Sequence, residues 1–168
     1  MKKVGIVMGS IHDYEVAKPC IDILRKFDVE ADVRVISAHR TPVEAMEFAT
    51  KAKQNGIEVI VSVAGKSAHL GGVLASYTTL PIIGLPVKSS LEDGLDSLLS
   101  TVQMPNGVPV ATVAINGGQN AGLLAIEILA NKYEELDTML TKYRKDMQVS
   151  VNLDNNKLQD LLKENQND

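Results

Sequence analysis

A single cysteine, Cys20, leaves this chain no intramolecular disulfide and no cysteine-based metal cluster. Tryptophan is absent and only four tyrosines are present, so absorbance is a weak handle on folding or ligand binding. No apolar run approaches the roughly 18 residues of a membrane span. The stretch behind Met1-Lys2-Lys3, Val4 to Met8, is also too short for a secretory core. A soluble, cytoplasmic protein without a membrane partner is therefore expected. A basic excess is missing too. The net charge of −4 argues against a broad nucleic-acid footprint, though it leaves room for a local basic pocket that takes one small phosphate. There is no Walker loop, no G-x-G-x-x-G after a strand, no Ser-His-Asp order and no metal-ligand spacing.

The 168 residues, 45% hydrophobic and 23% charged, have the composition of one globular domain. A chain of this length buries roughly 70% of its unfolded surface without staples. Short apolar runs alternate with amphipathic stretches. The patterning predicts strands at Val4–Met8, Ala31–Ser37, Val59–Ala64, Pro81–Leu85 and Val110–Ile115. Helices are predicted near Tyr14–Phe27, Pro42–Asn55, Ala68–Thr78, Leu91–Val102 and Asn120–Tyr143. Pro19 lies inside the first and is expected to delay or kink it. Thr41, Pro42 and Glu44 read as the capped start of the second. Strands joined by helices of this length imply right-handed crossovers and an α/β fold, a three-layer sandwich around a central parallel sheet. Residues 1–145 are expected to form the catalytic domain. Residues 146–168 read as a polar tail with a short helix, whose leucine stripe (Leu153, Leu158, Leu161, Leu162) needs something to pack on.

Ligands of an open parallel sheet bind beyond the carboxyl ends of its strands. Three loops lie there. Gly9-Ser10-Ile11-His12-Asp13 offers a hydroxyl and a helix start to a phosphate or sugar, with Asp13 either a ribose acceptor or a helix cap. Ser37-Ala38-His39-Arg40-Thr41-Pro42 offers Arg40 and Ser37 to a phosphate. It also offers His39 as a general acid/base or, equally, as a loop histidine making one backbone hydrogen bond. Ala64-Gly65-Lys66-Ser67-Ala68-His69-Leu70 has the small residues that let a flat ligand approach the backbone. In that loop His69 reads as a cap or packing residue as readily as a ligand, and Lys66 as a solvated charge.

These loops, in this order, resemble the class I N5-carboxyaminoimidazole ribonucleotide mutases over roughly Val4 to Leu129. The resemblance extends through Pro86-Val87-Lys88-Ser89, through Asp96 to Pro105 with Gly107-Val108-Pro109-Val110, and through Asn120-Ala121 with Leu123-Leu124-Ala125. It implies a flavodoxin-like fold assembled as a homo-octamer, and an isomerase of purine biosynthesis with no metal and no organic cofactor. It implies ribonucleotide phosphate and ribose near Ser10, Asp13, Ser37 and Arg40, with His39 as proton shuttle and carbon dioxide as a trapped intermediate. Gly65, Ser67, Ala68, His69 and Leu70 would surround the imidazole and its carboxylate. The sequence departs from the family pattern at His12, where a serine is usual, at Lys66-Ser67, where smaller residues stand, and at Gly71, where a proline is usual. The stretch Asn116–Gln119 is shorter than the family's, and the Asn-rich tail has no counterpart. The alternatives are a carboxylase adding free carbon dioxide to aminoimidazole ribonucleotide, a relative acting on a nicotinate-derived nucleotide, and a non-catalytic nucleotide-binding module.

Overall fold

The computed structural model describes residues 2–164. Five parallel strands form one sheet: β1 (Lys3–Met8), β2 (Glu30–Val35), β3 (Val59–Gly65), β4 (Ile82–Val87) and β5 (Ala111–Thr112). Their order is β2-β1-β3-β4-β5. This is the flavodoxin-like order, whose direction reverses between β1 and β3 and opens a crevice there. The central strands are buried on both faces, which is why their sequences run almost continuously apolar.

The six helices divide between those faces. Helices α1 (Tyr14–Lys26) and α5 (Gly118–Ala130), with the first turns of α6 (Glu134–Glu164), cover one side. There Ile6, Leu24, Phe27, Val61, Leu85, Ile126 and Leu136 form the larger core. Helices α2 (Pro42–Ala52) and α3 (Leu70–Tyr77) cover the other side over Val7, Ile57, Ile60 and Leu74. Helix α4 (Leu95–Val102) packs beside α3 on β4, where the bare Gly84 backbone admits Thr101 and Val110. Among the described residues every buried side-chain nitrogen or oxygen has a hydrogen-bond partner.

Several expectations are corrected. Helix α1 runs through Pro19 from Tyr14 without a late start. The carbonyl that Pro19 leaves without a donor belongs to Glu15, an exposed residue, so the missing hydrogen bond falls on the solvent side of the helix. Thr41 does not cap α2. Its hydroxyl accepts from the Ser37 N–H at 2.9 Å and donates to the Ser37 carbonyl at 3.1 Å, so it closes the preceding loop instead. The expected strand 110–115 shrinks to Ala111–Thr112, because β5 is an edge strand paired only with β4. The expected helix 120–143 is two helices. The Asn131 side chain donates to the carbonyls of Glu127 and Ile128 and ends α5, and the chain reverses before α6. Helix α6 then continues without a break past residue 145, so the expected short tail helix is the far half of a long one.

Candidate active site

The carboxyl ends of β1 to β4 enclose a cleft of about 570 Å³ at the β1/β3 reversal. A larger hollow of about 920 Å³ lies between α5 and α6. It is lined mainly by Leu123, Leu124, Leu140, Tyr143, Met147 and Val151, and its charged pair Arg144–Glu127 is satisfied internally at 2.7 Å. Size favours the second hollow, but chemistry favours the first, which gathers the charged, hydroxyl and imidazole groups.

At the end of β1 the chain makes a one-turn 3-10 helix, Ile11–Asp13. The Ser10 hydroxyl accepts from the His12 N–H at 3.3 Å while Asp13 Oδ2 accepts from the Ser10 N–H at 3.0 Å, a reciprocal cap. Asp13 therefore caps this turn and not α1, to which its side chain gives no hydrogen bond. Burial pushes the Asp13 carboxyl up. The Ser10 N–H and the nearby His12 and Arg40 oppose that shift without cancelling it.

The β2–α2 loop is fastened to the same place. Arg40 donates from Nη2 to the Gly9 carbonyl at 3.0 Å and from Nε to the Ser37 hydroxyl at 3.3 Å. Its fork is thus oriented over the Ser10 loop before any ligand arrives. Beside it His39 Nε2 lies 3.0 Å from His69 Nδ1, with the rings edge to face at 87°. One of those two nitrogens must carry the hydrogen and the other accept it, so the contact excludes two imidazolium rings at once. His39 Nδ1 and His69 Nε2 have no hydrogen bond among the described residues.

The anticipated residues Ser10, Asp13, Ser37, His39, Arg40, Gly65, Ser67 and Leu70 line this cleft together. Ala68 does not; it is 2% exposed and donates its N–H to the Lys66 carbonyl at 2.8 Å. His69 is not a lining residue either and meets the site through His39. The sequence reading assigned no role to Lys88 and Ser89, which follow β4 and line the far wall. Lys88 pairs with Asp93 at 2.9 Å, and Ser89 donates to Asp96 at 2.6 Å. Their position after a central strand was the available signal. With Arg40, Lys66 and Lys88 against the single carboxylate of Asp13, the lining suits an anionic ligand. No group of three or more His, Cys, Asp or Glu among the described residues is placed to hold a metal ion.

The sequence model of a family described as AIR carboxylase matches residues 3–150, most of the chain. The chain belongs to the AIR carboxylase family. Relatives agree with that membership. An N5-carboxyaminoimidazole ribonucleotide mutase of Pyrococcus abyssi is 56% identical over 147 residues, covering 88% of this chain and 84% of its own. One of Saccharolobus solfataricus is 52% identical over 151 residues, covering 90% and 96%. Among solved structures, that of Treponema denticola PurE superposes with a TM-score of 0.86 at 26% identity, covering 94% of this chain and 99% of the other. The AIR carboxylase match spans every loop of the cleft.

Proposed function

We propose that the protein is an N5-carboxyaminoimidazole ribonucleotide mutase of purine biosynthesis, an isomerase that moves a carboxylate from the exocyclic nitrogen to carbon four of an aminoimidazole ribonucleotide. The observation that carries this reading is the His39–His69 pair beside an oriented Arg40 in a cationic cleft. Ser10, Ser37 and Arg40 bind the phosphate, and Asp13 accepts from the ribose. Gly65, Ser67 and Leu70 flank the ring, and Ala68 supports their loop.

His39, as imidazolium, gives its proton to the carbamate nitrogen. The N–C bond breaks, releasing carbon dioxide and neutral aminoimidazole ribonucleotide within the cleft. Carbon four then forms its bond to the trapped carbon dioxide. Neutral His39 removes the ring proton and is reset, so no proton is gained or lost overall. Confinement keeps the fragments at high effective concentration. Because His39 Nε2 is engaged with His69, Nδ1 is the nitrogen that faces the substrate, and His69 fixes the tautomer.

Residues 1–145 carry the catalysis and residues 146–168 serve assembly, in a cytoplasmic homo-octamer whose only ligand is the small nucleotide. A coupled assay tests the chemistry by offering N5-carboxyaminoimidazole ribonucleotide and, separately, aminoimidazole ribonucleotide with bicarbonate. Wild type should convert the first, and His39→Asn should lose at least about a hundredfold in kcat, the scale of general acid–base catalysis. Turnover of the second pair alone would make the protein a carboxylase instead.

A further inference from the structure

The two loops that meet at the His39–His69 contact each bring a cation to the cleft. Arg40 stands next to His39, and Lys66 stands three residues before His69. Neither has an ion-pair partner among the described residues, whereas the neighbouring Lys88 is held by Asp93. Arg40 shares its side of the cleft with the Ser10 and Ser37 hydroxyls, a phosphate-binding set. Lys66 stands outside that set, on the β3–α3 loop, where it lines the same cleft with Gly65 and Ser67.

The backbone of Lys66 is also unusual. It adopts φ 56°, in the left-handed region that glycine enters without penalty and lysine does not. The conformation is held because the Lys66 carbonyl accepts from the Ala68 N–H at 2.8 Å and from the Ser100 hydroxyl at 3.5 Å. A strained residue that carries an unpaired charge into a cleft points to a use for that charge.

We infer that Lys66 is a specificity-determining residue whose ammonium pairs with the migrating carboxylate, so that the cleft distinguishes carboxylated from uncarboxylated aminoimidazole ribonucleotides. This rests on the proposed mutase reading and names the second anion that the site recognises. Arg40 takes the phosphate, common to every species on the path. Lys66 takes the group present in substrate and product but absent from the intermediate, which is neutral at that position. The pairing holds both carboxylated ends and weakens when carbon dioxide is freed.

The test compares wild type with Lys66→Gly, Lys66→Gln and Lys66→Arg in initial-rate assays, with aminoimidazole ribonucleotide as competitive inhibitor. Lys66→Gly should fold at least as well as wild type, because glycine relieves the φ 56° backbone, so its melting temperature should not fall. In both neutral variants KM for the carboxylated substrate should rise about tenfold, the usual scale for a charged hydrogen bond. The inhibition constant of aminoimidazole ribonucleotide should stay within about twofold, and Lys66→Arg should restore KM. An unchanged KM, or a parallel rise in both constants, would overturn the inference. A wild type that turns over neither substrate would instead overturn the mutase reading itself.

Discussion

The thiol of Cys20 sits on the inner face of α1 with no exposed surface, and burial pushes its pKa up to about 12. A thiol at neutral pH in that setting has almost no thiolate and no path to a reagent. As the only cysteine, it reports on the whole core. Alkylation by iodoacetamide should therefore be negligible in the native protein and should rise along the urea unfolding curve, in step with loss of helical circular dichroism. Labelling well before that transition would mean that α1 opens locally. Residue identity showed where such groups belong but not how they pair. That His39 and His69, thirty positions apart, share a hydrogen bond depends on β2 and β3 lying on either side of β1, which no local pattern encodes.

At the scale of elements, α1 and α5 approach so closely that Gly118 and Gly122 lie directly against α1. A methyl group on Gly118 would collide with the Val16 carbonyl, and one on Gly122 with the Ile23 side chain. Gly122→Ala should cost about 1–3 kcal/mol, the range for overpacking, and Gly118→Ala should fall at the upper end because a backbone atom cannot step aside. Urea midpoints would measure both; unchanged midpoints would mean the helices are free to separate. The apolar patterning that marked α1 to α3 in the sequence was legible because each of those helices buries one face in the core. The same signal failed between residues 120 and 143. Apolar spacing continues across Asn131, and the stop is a side-chain cap on the preceding turn, invisible to periodicity. The strand-end loops were legible as a site because they follow buried strands, whereas the Thr41 hydroxyl had two local partners to choose between and took the loop.

The whole molecule leaves one element unfinished. Helix α6 is 31 residues long, roughly 45 Å at 1.5 Å per residue, and no residue from Arg144 to Lys163 is buried against the body. Its apolar stripe begins in the core with Leu140 and Tyr143 and continues at helical spacing through Met147, Val151, Leu158 and Leu161, each more than half exposed. A polar-flanked helix standing in water is marginal on its own, so the stripe needs a surface. No helix among the described residues is long and apolar enough to cross a membrane. In the proposed homo-octamer other copies supply that surface. Leu158→Glu with Leu161→Glu would place charges in the seam without touching the sheet or the cleft. Multi-angle light scattering should then fall from eight chain masses to a smaller species, with circular dichroism losing part of the α6 signal while the urea midpoint of the core changes little. An intact octamer in that variant would mean that the far half of α6 lies outside the assembly interface and that the exposed residues of α2 and α4, Val43, Leu95 and Leu99 among them, carry the assembly instead.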